Sequence, residues 1–173
     1  LSHDIVRSVS EGKIDIGIGI VSGFERTEAL EVIPYRRDRL VLVVPPQHPM
    51  AQVPEVSFAD TLAFDHIGLA EGSALRAFLQ RICDELHRTL QLRIEVSNFE
   101  AACRMVAAGV GVGVMPESAA RRHALAMPIV IVPLQDAWSL RAMHVCVRSL
   151  AALPGFAQDL VALLVADAAL PRD

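Results

Sequence analysis

The chain has 173 residues, of which 53% are hydrophobic, and a formal net charge of −4. Direct nucleic-acid binding by these residues is disfavoured, because such binding depends on basic side chains that neutralise phosphates and no basic stripe is present. No apolar run reaches the roughly 18 residues of a membrane span, and no secretion signal opens the sequence. The length suits one ordinary domain or two small lobes.

The cysteines and histidines indicate no redox or metal chemistry. Cys83, Cys103 and Cys146 are odd in number, far apart and within apolar segments, which is typical of buried, reduced thiols in a cytoplasmic protein. The six histidines form no H-x-x-x-H pattern and no cluster with cysteine. We therefore expect neither a metal nor another cofactor.

The first predicted elements are a helix over residues 4–11 and a strand over 14–21. Gly12 ends the helix, and alternation places glycines on one face of the strand and isoleucines on the other. A helix that leads into a strand at the very start of a sequence is unusual for a domain. We therefore expect the native protein to continue upstream of Leu1, with part of its first lobe outside this sequence.

The next segment contains a run of charged residues between two stretches that are predicted to be extended. Residues 30–34 are predicted to be extended, and the charged run 36–39 is predicted to be a solvated turn, with anion binding by one of its arginines as the alternative. Residues 40–44 are all apolar and predict a buried strand. The prolines at positions 45, 46 and 49 end that strand because they lack a backbone donor, and they mark the first predicted lobe boundary.

Two strand–turn–helix segments follow. In the first, a strand leads to Ser73, a good N-cap for a helix over 74–87. In the second, a strand over 92–96 leads to Ser97 and Asn98, which cap the next helix. Such turns present backbone N–H groups to an anion. A helix cap without a ligand uses the same chemistry, so both interpretations stay open.

A glycine-rich strand comes after the second of these helices. Gly109 stands where a helix ends, and valines alternate with glycines over 110–114, which predicts a short buried strand that another element can approach closely. Pro116 opens a further helix. A dinucleotide-binding loop is disfavoured because these glycines lie before and within the strand, whereas the glycines of that motif follow one.

The remaining predicted elements are a helix to about residue 122, strands over 129–132 and 140–147, and a terminal helix over 155–168. The terminal helix is expected to turn Phe156, Leu160, Leu163 and Leu164 inward. Trp138 lies in a polar turn, where it either stacks on a ligand or packs in the interior. Packing is the more usual role of a single tryptophan.

No catalytic constellation is recognisable, so we expect no enzymatic activity. Small hydrogen-bonding groups recur instead at the ends of the predicted strands. They are Ser22-Gly23, Gly72-Ser73, Ser97-Asn98 and the helix start at Pro116. Groups of this kind can bind and orient a small anionic ligand without transforming it.

Three motifs together resemble a known family. They are KIDIGIG at 13–19, LVLVVP at 40–45 with HPM at 48–50, and VAAGVGVGVMPE at 106–117. In this order, and over nearly the whole chain, they resemble the effector-binding domain of LysR-type transcriptional regulators. The family's N-terminal helix-turn-helix domain, which binds DNA, is absent from this sequence.

The resemblance implies an α/β fold like that of type II periplasmic binding proteins, with two Rossmann-like lobes joined by two crossover strands. Lobe I would hold residues 1–45 and 141–173 and would be incomplete at its N-terminus. Lobe II would hold residues 46–140, with crossovers near 45–50 and 138–141. The implied cleft residues are Ser22, Gly23, Gly72, Ser73, Ser97, Asn98, Met115 and Pro116.

The implied function is effector sensing by a cytoplasmic transcriptional regulator. In the family an inducer binds in the cleft, and lobe closure changes how an oligomer acts on promoter DNA. The partners would be a small carboxylate or other anionic effector, the other subunits of a homodimer or homotetramer, and promoter DNA through the missing domain, with no membrane. The alternative is a stand-alone solute-binding protein of the periplasmic type.

Overall fold

The computed structural model describes residues 2–20 and 30–168. The helices are α1 (Ser2–Ser10), α2 (Phe58–Thr61), α3 (Ala74–Glu85), α4 (Phe99–Ala107), α5 (Glu117–Ala124) and α6 (Gly155–Ala168). The strands are β1 (Ile16–Ile20), β2 (Glu31–Val44), β3 (His66–Leu69), β4 (Leu92–Val96), β5 (Gly113–Pro116), β6 (Val130–Pro133) and β7 (Leu140–Val147). Short 3-10 helices occupy Pro49–Gln52 and Ala137–Ser139.

The chain forms two compact units, as expected for a mixed α/β protein of this length. Unit 1 comprises Leu1–Arg37 and Arg141–Asp173, and unit 2 comprises Asp38–Leu140. The chain therefore passes between the units twice, once within β2 and once at the start of β7. The first passage differs from the boundary expected at the prolines, because β2 continues through it and the prolines only end the strand.

Unit 1 is a small sheet with a helix on each face. Strand β7 lies between β1 and β2 and is antiparallel to β1. Gly17 of β1 faces α1, where a Cβ atom would collide with Ile5 and Val9. On the other face, Val161 of α6 packs in a cluster with Val145. The predicted alternation of glycine and isoleucine in β1 is therefore confirmed, and the glycine face lets α1 approach.

The expected inward face of α6 is wrong for three of its four residues. Phe156, Leu160 and Leu163 are 78%, 48% and 68% exposed. The helix instead buries Ala157 and Val161, and Leu164 packs beside them. Two adjacent stripes of α6 are apolar, so helical periodicity alone does not choose between them.

Unit 2 is organised around the second part of β2, which is antiparallel to β5 on one side and to β6 on the other. Its side chains alternate between two cores. Leu40 and Leu42 pack in the core that contains Cys83 of α3, and Val41 packs in the core that contains Cys103 of α4. A strand covered on both faces is apolar at every position, which explains the uninterrupted apolar run.

The charged residues 36–39 lie within β2, so the prediction of a turn there is wrong. The strand is 14 residues long and serves both units. Charged side chains disfavour a strand interior in a local view of the sequence. They are tolerated here because all four positions are only half-buried or exposed.

In the glycine-rich stretch, the predictions for Gly109 and Gly111 are confirmed. Gly109 follows α4 with φ +73°, the left-handed conformation expected at a helix end. A Cβ atom at Gly111 would lie 2.5 Å from the carbonyl oxygen of Asp65, so the expected close approach of another element is confirmed. The paired strand begins later than predicted, at Gly113.

The three cysteines, all within the described residues, are buried and form no disulfide, and burial raises the pKa of Cys103 to about 11. Among residues 2–20 and 30–168, no helix combines the length and the apolar character needed to cross a membrane.

Candidate ligand-binding site

Three strands of unit 2 end at a common edge. Strands β3 and β4 are parallel, with Leu69 opposite Val96, and the N–H of Ala70 donates to the carbonyl of Val96 at 2.9 Å. His66 pairs in parallel with Val112, just before β5. Helices α3, α4 and α5 therefore all begin at the carboxyl ends of these strands. We call this region, formed by residues 70–73, 97–98 and 116–117, the helix-start edge.

The start of α3 is open. Gly72 has φ +87°, and nothing lies within 4 Å of the place where its Cβ would be. Ser73 is the N-cap as predicted, but its Oγ accepts from the N–H of Arg76 over a long 3.5 Å. The first turn of α3 carries no acidic residue, although the exposed Glu71 lies two residues before the cap. Backbone N–H groups at a helix start of this kind can donate to an anion.

The start of α4 is closed by its own side chains. The Oδ1 atom of Asn98 accepts from the N–H of Ala101 at 2.8 Å, and its Nδ2 donates to the Oγ of Ser97 at 3.4 Å. Glu100 lies in the first turn, 2.8 Å from the Nη2 of Arg104. The hydrogen bond from Arg104 lowers the pKa of Glu100, which keeps a negative charge at this helix start.

The start of α5 differs from both. Pro116 occupies the N-cap position and makes no side-chain cap hydrogen bond. Glu117 follows in the first turn, and its Oε1 accepts from the Nε of Arg121 at 2.8 Å. Met115 as a whole is only 1% exposed, and its sulfur lies 3.5 Å from that of Cys103. It therefore presents almost no surface to a ligand in this structure.

Only some of the predicted site residues lie within the part of the chain that the structure describes. The structure brings Gly72, Ser73, Ser97, Asn98 and Pro116 to the helix-start edge. Ser22 and Gly23, the expected contributors from lobe I, lie outside the described residues. Within the described ranges, no group of three or more His, Cys, Asp and Glu side chains could hold a metal ion.

Sequence reasoning misses two charged residues at this edge. The Nη1 atom of Arg76 contacts the Oε1 atom of Glu95, which joins the first turn of α3 to the last residues of β4. The available signal was the position of Arg76, three residues after Ser73. Its partner, Glu95, lies on strand β4 and not on α3, so no local pattern indicates the pair.

Two rings of unit 2, the buried ring of His66 and the half-buried ring of Trp138, are held by contacts inside the unit. His66 is 2% exposed, its Nε2 atom lies 3.0 Å from the carbonyl of Thr61, and burial lowers its pKa. Trp138 packs edge-on against Phe58 and Phe78, with ring centroids 5.4 Å apart in each pair. The packing interpretation of Trp138 is therefore confirmed.

Unit 1 contains an open groove of about 620 Å³ between β2, β7 and the end of α6. Arg36 in this groove is paired with Asp167 and lies 5.0 Å from the centre of the Tyr35 ring. The groove lies at the last described residues of α6, the end of a helix that disfavours an anion. It is therefore a weaker candidate for an anion site than the helix-start edge.

Known proteins share this sequence pattern and this fold. Residues 1–169 match the family described as the LysR substrate binding domain. An uncharacterised HTH-type transcriptional regulator of Methanocaldococcus jannaschii is 31% identical over 146 residues, which cover 83% of this chain and 48% of that protein. The chain thus spans about half the length of this relative.

Two solved structures have the same fold. The Synechocystis PCC6803 CcmR regulatory domain in complex with 2-PG has a TM-score of 0.75 at 19% identity, covering 97% of this chain and 80% of that one. The effector binding domain of QuiR in complex with shikimate has a TM-score of 0.70 at 18% identity, covering 96% and 78%. At these identities the likeness establishes the fold alone.

Proposed function

This chain belongs to the LysR substrate binding domain family, and we propose that it senses a small anionic effector for a transcriptional regulator. The curated relative described above is such a regulator and is about twice as long as the matched segment. Promoter binding would therefore fall to a helix-turn-helix part of the native protein. Lobe closure on the effector would carry the signal to it.

The observation that carries the proposal is the helix-start edge. Three helices begin at the carboxyl ends of neighbouring strands, which is where open α/β folds bind ligands. Among the three, the start of α3 has an open turn, a long cap hydrogen bond and no acid. Structural neighbours hold shikimate and 2-PG, and we extend a small-molecule effector of that size to this chain.

A regulator fits better than a stand-alone solute-binding protein, because the curated relative is a transcriptional regulator. No acid–base pair comparable to a catalytic site is found among the described residues of the helix-start edge, so we propose sensing without turnover. We also propose a cytoplasmic location and a homodimer or homotetramer. Sedimentation of the intact protein at working concentration tests the assembly, and a single-subunit mass contradicts it.

The test begins with a thermal-shift screen of small carboxylates, aromatic acids and organic phosphates, with shikimate and 2-PG included. A compound that raises the melting temperature is then titrated by calorimetry. Ser73→Ala and Ser97→Ala should each weaken its binding by about 1 kcal/mol, roughly fivefold, because each removes a hydrogen-bonding group.

Ser57→Ala is the matched control. Ser57 also caps a helix of unit 2, where its Oγ accepts from the N–H of Asp60 at 3.1 Å, but that helix begins away from the helix-start edge. The effector affinity of the Ser57→Ala variant should equal that of the unaltered chain. A screen without any stabilising compound would contradict effector sensing, and unchanged affinity in both edge variants would remove Ser73 and Ser97 from the site.

A further inference from the structure

We infer that Glu95, next to the helix-start edge, sets the affinity for an anionic effector: it contacts the guanidinium of Arg76, so the effector must displace it. The inference rests on the proposed function, since it concerns the same edge. It adds which cation meets the effector and which internal carboxylate competes with it.

The three helix starts differ in the origin of the carboxylate. Helices α4 and α5 carry Glu100 and Glu117 in their first turns, and each is paired with an arginine four residues later on its own helix. Helix α3 carries no acid in its first turn and has Arg76 there, whose partner Glu95 comes from β4. At α3 alone among the three, the carboxylate can therefore be displaced without breaking a contact within the helix.

Arg76 is placed to reach an anion at the start of α3. Side chains on a helix lean toward its N-terminus, so an arginine three residues after the cap lies over the cap turn. The Nη1 atom of Arg76 is buried and in ionic contact with the Oε1 atom of Glu95. Once Glu95 is displaced, a carboxylate or phosphate could accept from Nη1 and from a second guanidinium N–H in parallel.

Glu95 behaves differently from the other carboxylates at the edge. It comes from β4 rather than from the helix that carries its arginine, so the pair joins two separate strand–turn–helix segments. Its side chain is 44% exposed. Ion pairs this open to solvent contribute little to stability, so an effector can replace Glu95 without disrupting the fold.

The experiment measures the affinity of inorganic phosphate, a probe that needs no knowledge of the natural effector, by calorimetry at low ionic strength. Glu95→Gln removes the competing charge and keeps the side-chain size. Its phosphate affinity should be about fivefold higher than that of the unaltered chain, the scale expected when an exposed pair no longer has to be broken.

Two further variants locate the effect. Glu100→Gln removes the same charge from the neighbouring helix start, where the partner is Arg104, and should change phosphate affinity less than about twofold. In Glu95→Gln with Arg76→Gln the gain should disappear. Should Glu95→Gln fold poorly, as judged by circular dichroism, Glu95→Thr offers a strand-compatible replacement.

Equal phosphate affinity in Glu95→Gln and the unaltered chain overturns the inference. So does an equal gain in Glu100→Gln, which would indicate general charge removal, or a gain that persists without Arg76. These outcomes are separate from the effector screen. A chain that binds an organic effector but shows no gain in Glu95→Gln keeps its proposed function and loses only the role of Glu95.

Discussion

The two strand–turn–helix segments of unit 2, β3–α3 and β4–α4, share one plan and differ at the helix start. In β4–α4, the side chain of Asn98 makes a 2.8 Å cap and Glu100 adds a charge. In β3–α3, the cap of Ser73 is 3.5 Å long and the first turn carries Arg76, which is paired with Glu95 of β4. A helix start that is capped internally has fewer donors left for a ligand, so we propose that the start of α3 contributes more to effector binding than the start of α4.

The segments also differ at their ends. Helix α3 is followed by His87 at φ 52°, a conformation that disfavours side chains, whereas α4 is followed by Gly109 at φ +73°. Beyond Gly109, Gly111 presses against the carbonyl of Asp65, directly before β3. The second segment is therefore fixed to the first by a backbone contact. We expect a substitution at that contact to lower the free energy of unfolding more than a substitution at a helix cap.

The largest expected effect breaks that contact. Gly111→Ala places a methyl group where the carbonyl of Asp65 lies 2.5 Å away, and the backbone has to shift. We expect the free energy of unfolding to fall by about 2 kcal/mol, measured by urea denaturation. Gly155→Ala is the control, because nothing lies within 4 Å of its Cβ position. Similar stabilities for the two variants would contradict the tight approach.

A smaller effect is expected at the two helix caps, which should differ in their contribution to the free energy of unfolding. Asn98→Ala loses the short cap hydrogen bond and should reduce the free energy of unfolding by about 1 kcal/mol. Ser73→Ala loses only a 3.5 Å hydrogen bond and should cost less than about 0.5 kcal/mol. Urea denaturation of both variants measures the difference. An equal or larger loss in Ser73→Ala would show that α3 is capped as firmly as α4.

The smallest expected effect concerns pH. His66 of β3 is buried and pairs with the apolar Leu92 of β4, and burial lowers its pKa from the ordinary 6.5. As the pH falls, the unfolded chain therefore takes up the proton first. The stabilisation from neutral His66 is complete above about pH 6.5 and is lost as the pH falls through the folded-state pKa.

Urea denaturation between about pH 7.5 and pH 5 measures this dependence. His66→Gln should flatten it in part, and the remainder should include His48, whose pKa is also lowered by burial. If the free energy of unfolding depends on pH in the same way in His66→Gln and in the unaltered chain, the buried ring accepts a proton in the folded state without cost.

Much of the fold follows from local chemistry. Ser73 and Asn98 were predicted as caps because short polar side chains satisfy the free N–H groups of a helix start, and both are observed there. Gly109 was predicted to end a helix because glycine adopts positive φ without strain. These features need only neighbours in sequence, so the sequence suffices to locate them.

The errors lie where the deciding contact is distant. The charged run 36–39 continues a strand because β2 serves both units, which no local pattern indicates. The terminal helix turns Val161 inward instead of Leu160 because the sheet of unit 1 meets that stripe. In both cases two local choices are nearly equal in free energy, and tertiary packing selects one.

The sequence by itself determined the family and most of the helices and strands, and it singled out turns at which we propose that a ligand is held. Only the tertiary structure decided that three of those turns meet at one edge and that Arg76 is paired there with Glu95. Caps and glycine conformations are set by bonds between near neighbours. The charge at the proposed site depends on Arg76 and Glu95, which strand pairing brings together although 18 residues, 77–94, lie between them in the chain.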